Sequence, residues 1–312
     1  MKAPNGASHR SGRPLRLSGA VLVALLWAAT AAAQPIIFTD FDTTGGLRLT
    51  SSTTKQTTAE DGKVLRLVTT RTNDIGAAFT TSQLKVTSGF STAFDFRITN
   101  PGGSSDGTRV GADGFVFVIQ NSVSVSSVSD LGGTGEYLGY GSASGGIPKS
   151  IGIEIDTYQN AAAPRLDPSS NHIGINVNGS VDSITGRTAN ISPDFDNGTK
   201  WSAWIDYNGS ILEVRLSNNG VRPSQPSLSY SISSTTFASS SFLGGTNAWV
   251  GFTAATGGAY ENIDIVAWTF SDTFFANGVT AGMAIPEPST YALMALGLGW
   301  MWVRRRSATR AR

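Results

Sequence analysis

Short runs of alternating apolar and polar residues fill the middle of the chain. Residues 64–68 (VLRLV), 93–98 (AFDFRI) and 114–119 (GFVFVI) are rich in Val, Ile, Leu and Phe and are bounded by Gly, Asn, Asp or Ser. A period of two over such lengths predicts β-strands. Residues 201–207 and 211–216 flank Asn208-Gly209, a strong hairpin signal because both residue types tolerate positive φ. Residues 249–254 and 263–270 continue the series. No internal repeat and no long amphipathic helical pattern interrupts it. Trp201, Trp204, Trp249 and Trp268 fall within these runs and are expected to pack in the core. Residues 34–272 therefore read as one all-β domain, an antiparallel sandwich.

The most informative alternation lies between Ile151 and Val177, IGIEIDTYQNAAAPRLDPSSNHIGINV. Ile151, Ile153 and Ile155 share one strand face, which puts Glu154 and Asp156 on the other. Ile173, Ile175 and Val177 repeat the apolar side after His172. If the intervening loop folds the chain back, the two strands pair antiparallel and His172 comes beside the acids. Asn160 and Asp167 lie in that loop. Carboxylates, an amide and an imidazole are donors that suit a calcium ion beside a transition metal, and clustered carboxylates need such compensation. The competing reading is the wetted face of a half-buried strand followed by an ordinary Asp-Pro-Ser-Ser turn.

Composition narrows the function. The chain has no cysteine, which excludes a disulfide framework, a thiol nucleophile and Cys-ligated zinc. A basic start (Lys2, Arg10, Arg13, Arg16), an apolar middle and Ala31-Ala32-Ala33 make residues 1–33 a secretory signal peptide, so His172 is the sole histidine of the exported chain. Pro286-Glu287-Pro288, an apolar run over 291–303 and Arg304-Arg305-Arg306 form a second signal at the other end. That run is shorter than the roughly 20 residues an untilted membrane helix needs, so it predicts transient membrane association. Without the four basic residues of the leader and the five from Arg304 onward, 14 Lys and Arg face 22 Asp and Glu. An acidic domain of this kind is unsuited to binding nucleic acid.

EIDTYQN followed by DPSSNHIGINVN resembles the metal-binding segment of the legume-type (L-type) lectins, and 286–312 resembles the PEP-CTERM sorting signal of Gram-negative bacteria that make exopolysaccharide. FTDFD at Phe38, LRLT at Leu47 and GFSTAFDFRI at Gly89 extend the first likeness over nearly the whole domain. The lectin resemblance implies a concanavalin A-like jelly roll holding Ca²⁺ and a transition metal, Mn²⁺ by analogy. Glu154 and His172 would bind the transition metal alone. Asp156 and Asp167 would bridge both ions, and Asn160 with the Tyr158 carbonyl would complete the calcium shell. It also implies a carbohydrate site. Asp113, after a cis Ala112–Asp113 peptide, would accept from sugar hydroxyls, with Asn160 donating and the Tyr158 ring stacking. Residues 132–139 (GGTGEYLG) would add a backbone donor near Gly135 and Glu136, although glycine is common where Glu136 stands. Gly258 and Ala259 would make contacts from the variable loop at 256–261.

The sorting signal implies an exosortase-type processing enzyme as partner, with 273–285 as a linker and delivery to the cell envelope or extracellular matrix. The glycan partner would then be an envelope or matrix exopolysaccharide. Sandwich edges and backs associate in several ways, so oligomerisation is open to such a domain. Two alternatives remain. One is a structural matrix protein that keeps the metals and has lost sugar binding. The other is a glycoside hydrolase using a Glu-x-Asp-x-x-Glu strand. Here Gln159 stands at the last position, and an amide supplies neither nucleophile nor proton. No catalytic residue is therefore expected.

Overall fold

The computed structural model describes residues 35–283 apart from 52–53, 123–130 and 163–164. The expected leader and sorting tail lie outside the described residues.

Two antiparallel eight-stranded sheets face each other. The back sheet runs in the order β14 (Leu228–Ser231), β13 (Ile211–Ser217), β12 (Lys200–Tyr207), β7 (Phe90–Gly103), β16 (Ala259–Ser271), β4 (Gly62–Val68) and β3 (Lys55–Ala59). There β1 (Ile36–Phe38) also pairs with β16. The front sheet runs β11 (Thr188–Asn190), β10 (His172–Val177), β9 (Ser150–Asp156), β8 (Gly114–Gln120), β15 (Asn247–Ala255), β5 (Ile75–Thr80) and β2 (Leu47–Thr50), with β6 (Leu84–Lys85) on β15. This is the antiparallel sandwich that the alternating runs predict, with the jelly-roll form that the lectin resemblance implies.

Inward residues of both sheets make one core. Phe94, Phe115, Phe117, Phe252 and Trp268 meet at its centre, mostly edge-to-face, with Phe94 and Phe252 centroids 5.1 Å apart at 85°. Ile151, Ile153, Ile155, Ile173 and Ile175 join them, so the outer face of β9 and β10 is left to Glu154, Asp156 and His172. The hairpin at Asn208-Gly209 forms, with Gly209 at φ 91° and the Asn208 carboxamide oxygen accepting from Ser210 and Ile211.

Three features depart from simple alternation. Both faces of β8 and β9 are buried, because residues 131–147 fold over the front sheet. Leu138, Tyr140 and Ile147 from that cover pack on Val116, Val118, Ala77 and Phe79. Strand β5, IGAAFT, has small residues where strands carry large ones. A Cβ on Gly76 would meet Leu67 O at 2.2 Å, so the small side chain is dictated by close packing. Lastly, residues 273–283 do not run free as the expected linker. They lie on the outer face of the back sheet, where Val279, Phe275 and Ala281 cover Ala93 and Trp204, and the Trp204 indole donates to Val279 O at 3.0 Å. Trp204 is thus buried by this strap and not by the core. Trp201 and Trp268 are core residues, and Trp249 packs against the smaller cluster under the 131–147 cover.

Candidate metal centre and glycan site

The pairing of β9 with β10 sets His172 opposite Asp156 and Gly174 opposite Glu154. Glu154, Asp156 and His172 each bring a ligand atom within 4.8 Å of the others, and all three are buried. His172 Nδ1 lies 3.0 Å from the Ser169 carbonyl, which can only accept, so Nδ1 carries the hydrogen. Nε2 then faces Glu154 Oε1 at 3.0 Å, and two lone-pair donors at that distance need a proton or a cation between them. Burial alone lowers the histidine's basicity, but the Glu154 hydrogen bond and charge outweigh it and raise the pKa.

Asp167 approaches from the loop. Its Oδ2 accepts from the Asn160 amide at 2.7 Å, and its main-chain carbonyl accepts from the Gln159 side chain at 3.1 Å. Burial lifts Asp167 to about 6. Asp156 is raised well above the usual range, first by burial and then by the charges of Glu154 and Asp167. Asp156 Oδ1 accepts from the Tyr158 amide at 2.7 Å, which turns the chain out of β9 into the loop. Buried carboxylates that resist ionisation are what a divalent cation would relieve, so the donor set fits calcium and a transition metal. Glu154, Asp156, Asp167 and His172 could hold the transition metal. Asp156 and Asp167 with Asn160 and the Tyr158 carbonyl could hold calcium.

Two residues behind this cluster were not expected from sequence. The fully buried Asn176 donates from Nδ2 to Glu154 Oε2, and Ser183 Oγ donates to Asn176 Oδ1 at 2.7 Å. The signal was present: Asn176 stands two pairs beyond His172 on the same face of β10.

Beside the cluster lies Asp113. The Ala112–Asp113 peptide is cis. The Asp113 amide donates to Ala255 O at 3.2 Å, and the Asp113 carbonyl accepts from Thr157 N at 3.0 Å. Asp113 is 5% exposed, and its Oδ2 is buried with no hydrogen-bond partner among the described residues. Burial, followed by the charges of Glu136 and Asp167, lifts Asp113 to about 7. A Cβ built on Gly257 would come within 3.2 Å of Asp113 Oδ2 and 3.1 Å of Gly135 Cα. The bare backbone of Gly257 therefore crowds the carboxylate, while a Cβ on Gly135 would stand 4.0 Å from Asp113 Oδ2, at ordinary contact distance.

The remaining expected contacts are arranged differently. Glu136 is half-buried and directed at Arg165, 3.5 Å away. Tyr158 donates its hydroxyl to Ser105 O at 3.3 Å. Gly258 faces Ser104, and Ala259 is buried at the start of β16 opposite Gly103. Gly257, not singled out in the sequence, is the member of that loop nearest the carboxylate. Beneath it Glu261 is fully buried. Thr157 donates to one of its oxygens at 2.7 Å, the other is unpartnered among the described residues, and burial lifts the group to about 8.

The legume lectin domain model matches residues 34–282. The chain belongs to the legume lectin family. A PEP-CTERM protein-sorting motif matches residues 284–306, which indicates export to the envelope or extracellular space in Gram-negative bacteria. L-type lectin-domain containing receptor kinase VIII.1 of Arabidopsis thaliana is 31% identical over 229 residues, 73% of this chain but 28% of the kinase. The chain thus spans under a third of that relative's length. Basic winged bean lectin, solved with Tn-antigen, is 28% identical with a TM-score of 0.56, over 76% of this chain and 97% of that one. Acidic winged bean lectin, solved with methyl-α-D-galactose, is 26% identical with a TM-score of 0.57, at the same coverage. Legume lectins are carbohydrate-binding, non-enzymatic proteins that typically bind calcium and a transition metal. This chain is a non-enzymatic member, so the hydrolase alternative falls away.

Proposed function

We propose that this lectin is an exported, metal-dependent glycan-binding protein that recognises an exopolysaccharide at the cell envelope or matrix. One observation carries the reading: a buried carboxylate oxygen of Asp113, with no hydrogen-bond partner among the described residues, lies beside the backbones of Gly135 and Gly257 and next to a cluster of metal-ligand type. A sugar hydroxyl is the donor such an oxygen lacks. Bound cations would supply fixed positive charge beside Asp113, which keeps the carboxyl ionised and able to accept. Asp113 would accept from hydroxyls, the backbone near Gly135 and Gly257 would add polar contacts, and Asn160 would donate its amide hydrogens. Gln159, at the place where a Glu-x-Asp-x-x-Glu strand carries its second glutamate, supports binding without turnover.

The two parts of the site are separable by mutation. Asp113→Ala is expected to abolish glycan-array binding while elemental analysis still finds both ions. Asp156→Ala is expected to lose ions and glycan together. Equal ion loss in both variants would refute this division, and ion binding by the wild type without any glycan binding would favour a structural matrix protein.

A further inference from the structure

Arg165 lies two residues before Asp167 and reaches out of the ion loop. It spans the gap to two other loops. Its guanidinium donates to Asp182 Oδ1 at 3.0 Å and approaches Glu136 Oε1 at 3.5 Å. The guanidinium carbon also stands 4.9 Å from the centroid of the Tyr137 ring. The arginine side chain is 11% exposed, whereas Glu136 at 39% and Asp182 at 45% remain open to water, so the two ion pairs are weakened by solvent and the ring contact counts for more. A planar cation that stacks on an aromatic ring while serving two carboxylates is a role lysine fills poorly.

Each partner leads to the site. Glu136 and Tyr137 belong to a 3₁₀ turn, Gly135–Tyr137, whose Gly135 stands beside Asp113 (a Cβ there would lie 4.0 Å from Asp113 Oδ2) and donates its amide to Thr256 O at 2.9 Å. Asp182 precedes Ser183, which holds Asn176 and through it Glu154. Arg165 is tied back to the ion loop itself, its amide donating to Ala162 O at 3.2 Å. Leu166 then takes a positive φ of 55° and turns the chain so that Asp167 meets Asn160. The glutamate at 136 is thereby accounted for: its carboxylate is the counter-charge of this arginine.

We infer that Arg165 is a positioning residue that latches the 132–139 loop to the ion-binding loop, so that ion occupancy at Asp167 fixes the backbone beside Asp113. The inference rests on the metal and glycan reading above but has a readout of its own. Without ions, the buried Asp167 carboxyl lacks its counter-charge and the latch is expected to have a looser anchor. With ions, the anchor is fixed and residues 132–139 are held with it.

Hydrogen exchange of residues 132–139, measured on the folded exported chain stripped of metal and then loaded with Ca²⁺ and Mn²⁺, tests this. The wild type is expected to exchange roughly tenfold more slowly when loaded. In Arg165→Ala, elemental analysis should find the same ion content, yet most of that slowing should vanish. Arg165→Lys should recover part of it. Glu136→Gln and Tyr137→Leu, on the other side of the latch, should each weaken it and serve if the arginine variant does not fold. Glycan affinity, where the wild type binds one, should fall about five- to tenfold in Arg165→Ala. Wild-type exchange that ignores ions, undiminished slowing in Arg165→Ala, or loss of ions from that variant would each overturn the latch. Failure of the wild type to bind any glycan would instead count against the proposed function and leave the exchange result to stand.

Discussion

At the scale of single residues, the site is a collection of carboxyl groups whose burial opposes their ionisation. Asp167 at about 6, Asp113 at about 7 and Glu261 at about 8 all lie above the range of free carboxyls near 4. The folded, metal-free protein therefore holds protons that the unfolded chain has released. Stability falls as pH rises wherever the folded state binds more protons, so this contribution is complete below about pH 4 and is lost progressively up to about pH 8. Metal-free protein is expected to show a higher melting temperature at pH 6 than at pH 8. Saturating Ca²⁺ and Mn²⁺ should reverse the order, because cations replace the protons and bind more weakly as pH falls. Thermal melts at both pH values with and without ions check this; a metal-free midpoint that rises from pH 6 to pH 8 would refute it.

At the scale of elements, the register between β8, β9 and β10 places the chemistry. Asp156 is paired with His172 on one side and with Gly114 on the other, so the ion cluster and the Asp113 turn share one row across the sheet. Gly114 sits at φ +121°, and a Cβ there would lie 2.2 Å from Ile155 O, a backbone atom that cannot step aside. Gly114→Ala should cost about 3 kcal/mol or more, read as a lowered denaturation midpoint, and should weaken ion binding because the row is displaced. Near-native stability in that variant would show that the row has more slack than its contacts imply.

Much of this element-level order was legible in the chain. Alternating isoleucines set the inward face of β9 and β10, and the same alternation set Glu154, Asp156 and His172 together outside. Small or glycine-rich segments were opaque because their burial is decided by what covers them. The run at 75–80 gives little apolar signal, since Gly76 is pressed against Leu67. The cover at 131–147 looks like a polar loop, yet Leu138, Tyr140 and Ile147 bury the outer face of β8. The approach of Gly257 to Asp113 depends on a contact distant in sequence, which no local pattern encodes.

At the scale of the whole molecule, the two ends of β16 separate the functions of the domain. Ala259 adjoins the loops of the proposed glycan site, whereas Ser271 leads into the strap on the outer face of the back sheet. The family match ends at 282, and the packing agrees: residues 273–283 are part of the folded unit. Ending the exported chain at Asp272 would uncover Trp204 and Ala93 and remove the buried Val279. That should lower the melting temperature by about 5 °C or more and promote self-association through the exposed patch. An unchanged midpoint and an unchanged sedimentation profile would return 273–283 to the status of a linker.

The account as a whole depends on cations and sugar being coupled at Asp113. Glycan-array binding of the purified exported domain, repeated on one sample after chelation and again after Ca²⁺ and Mn²⁺ are restored, measures that coupling directly. The account predicts that binding disappears with the chelator and returns with the ions. Binding that survives complete removal of both metals would contradict it.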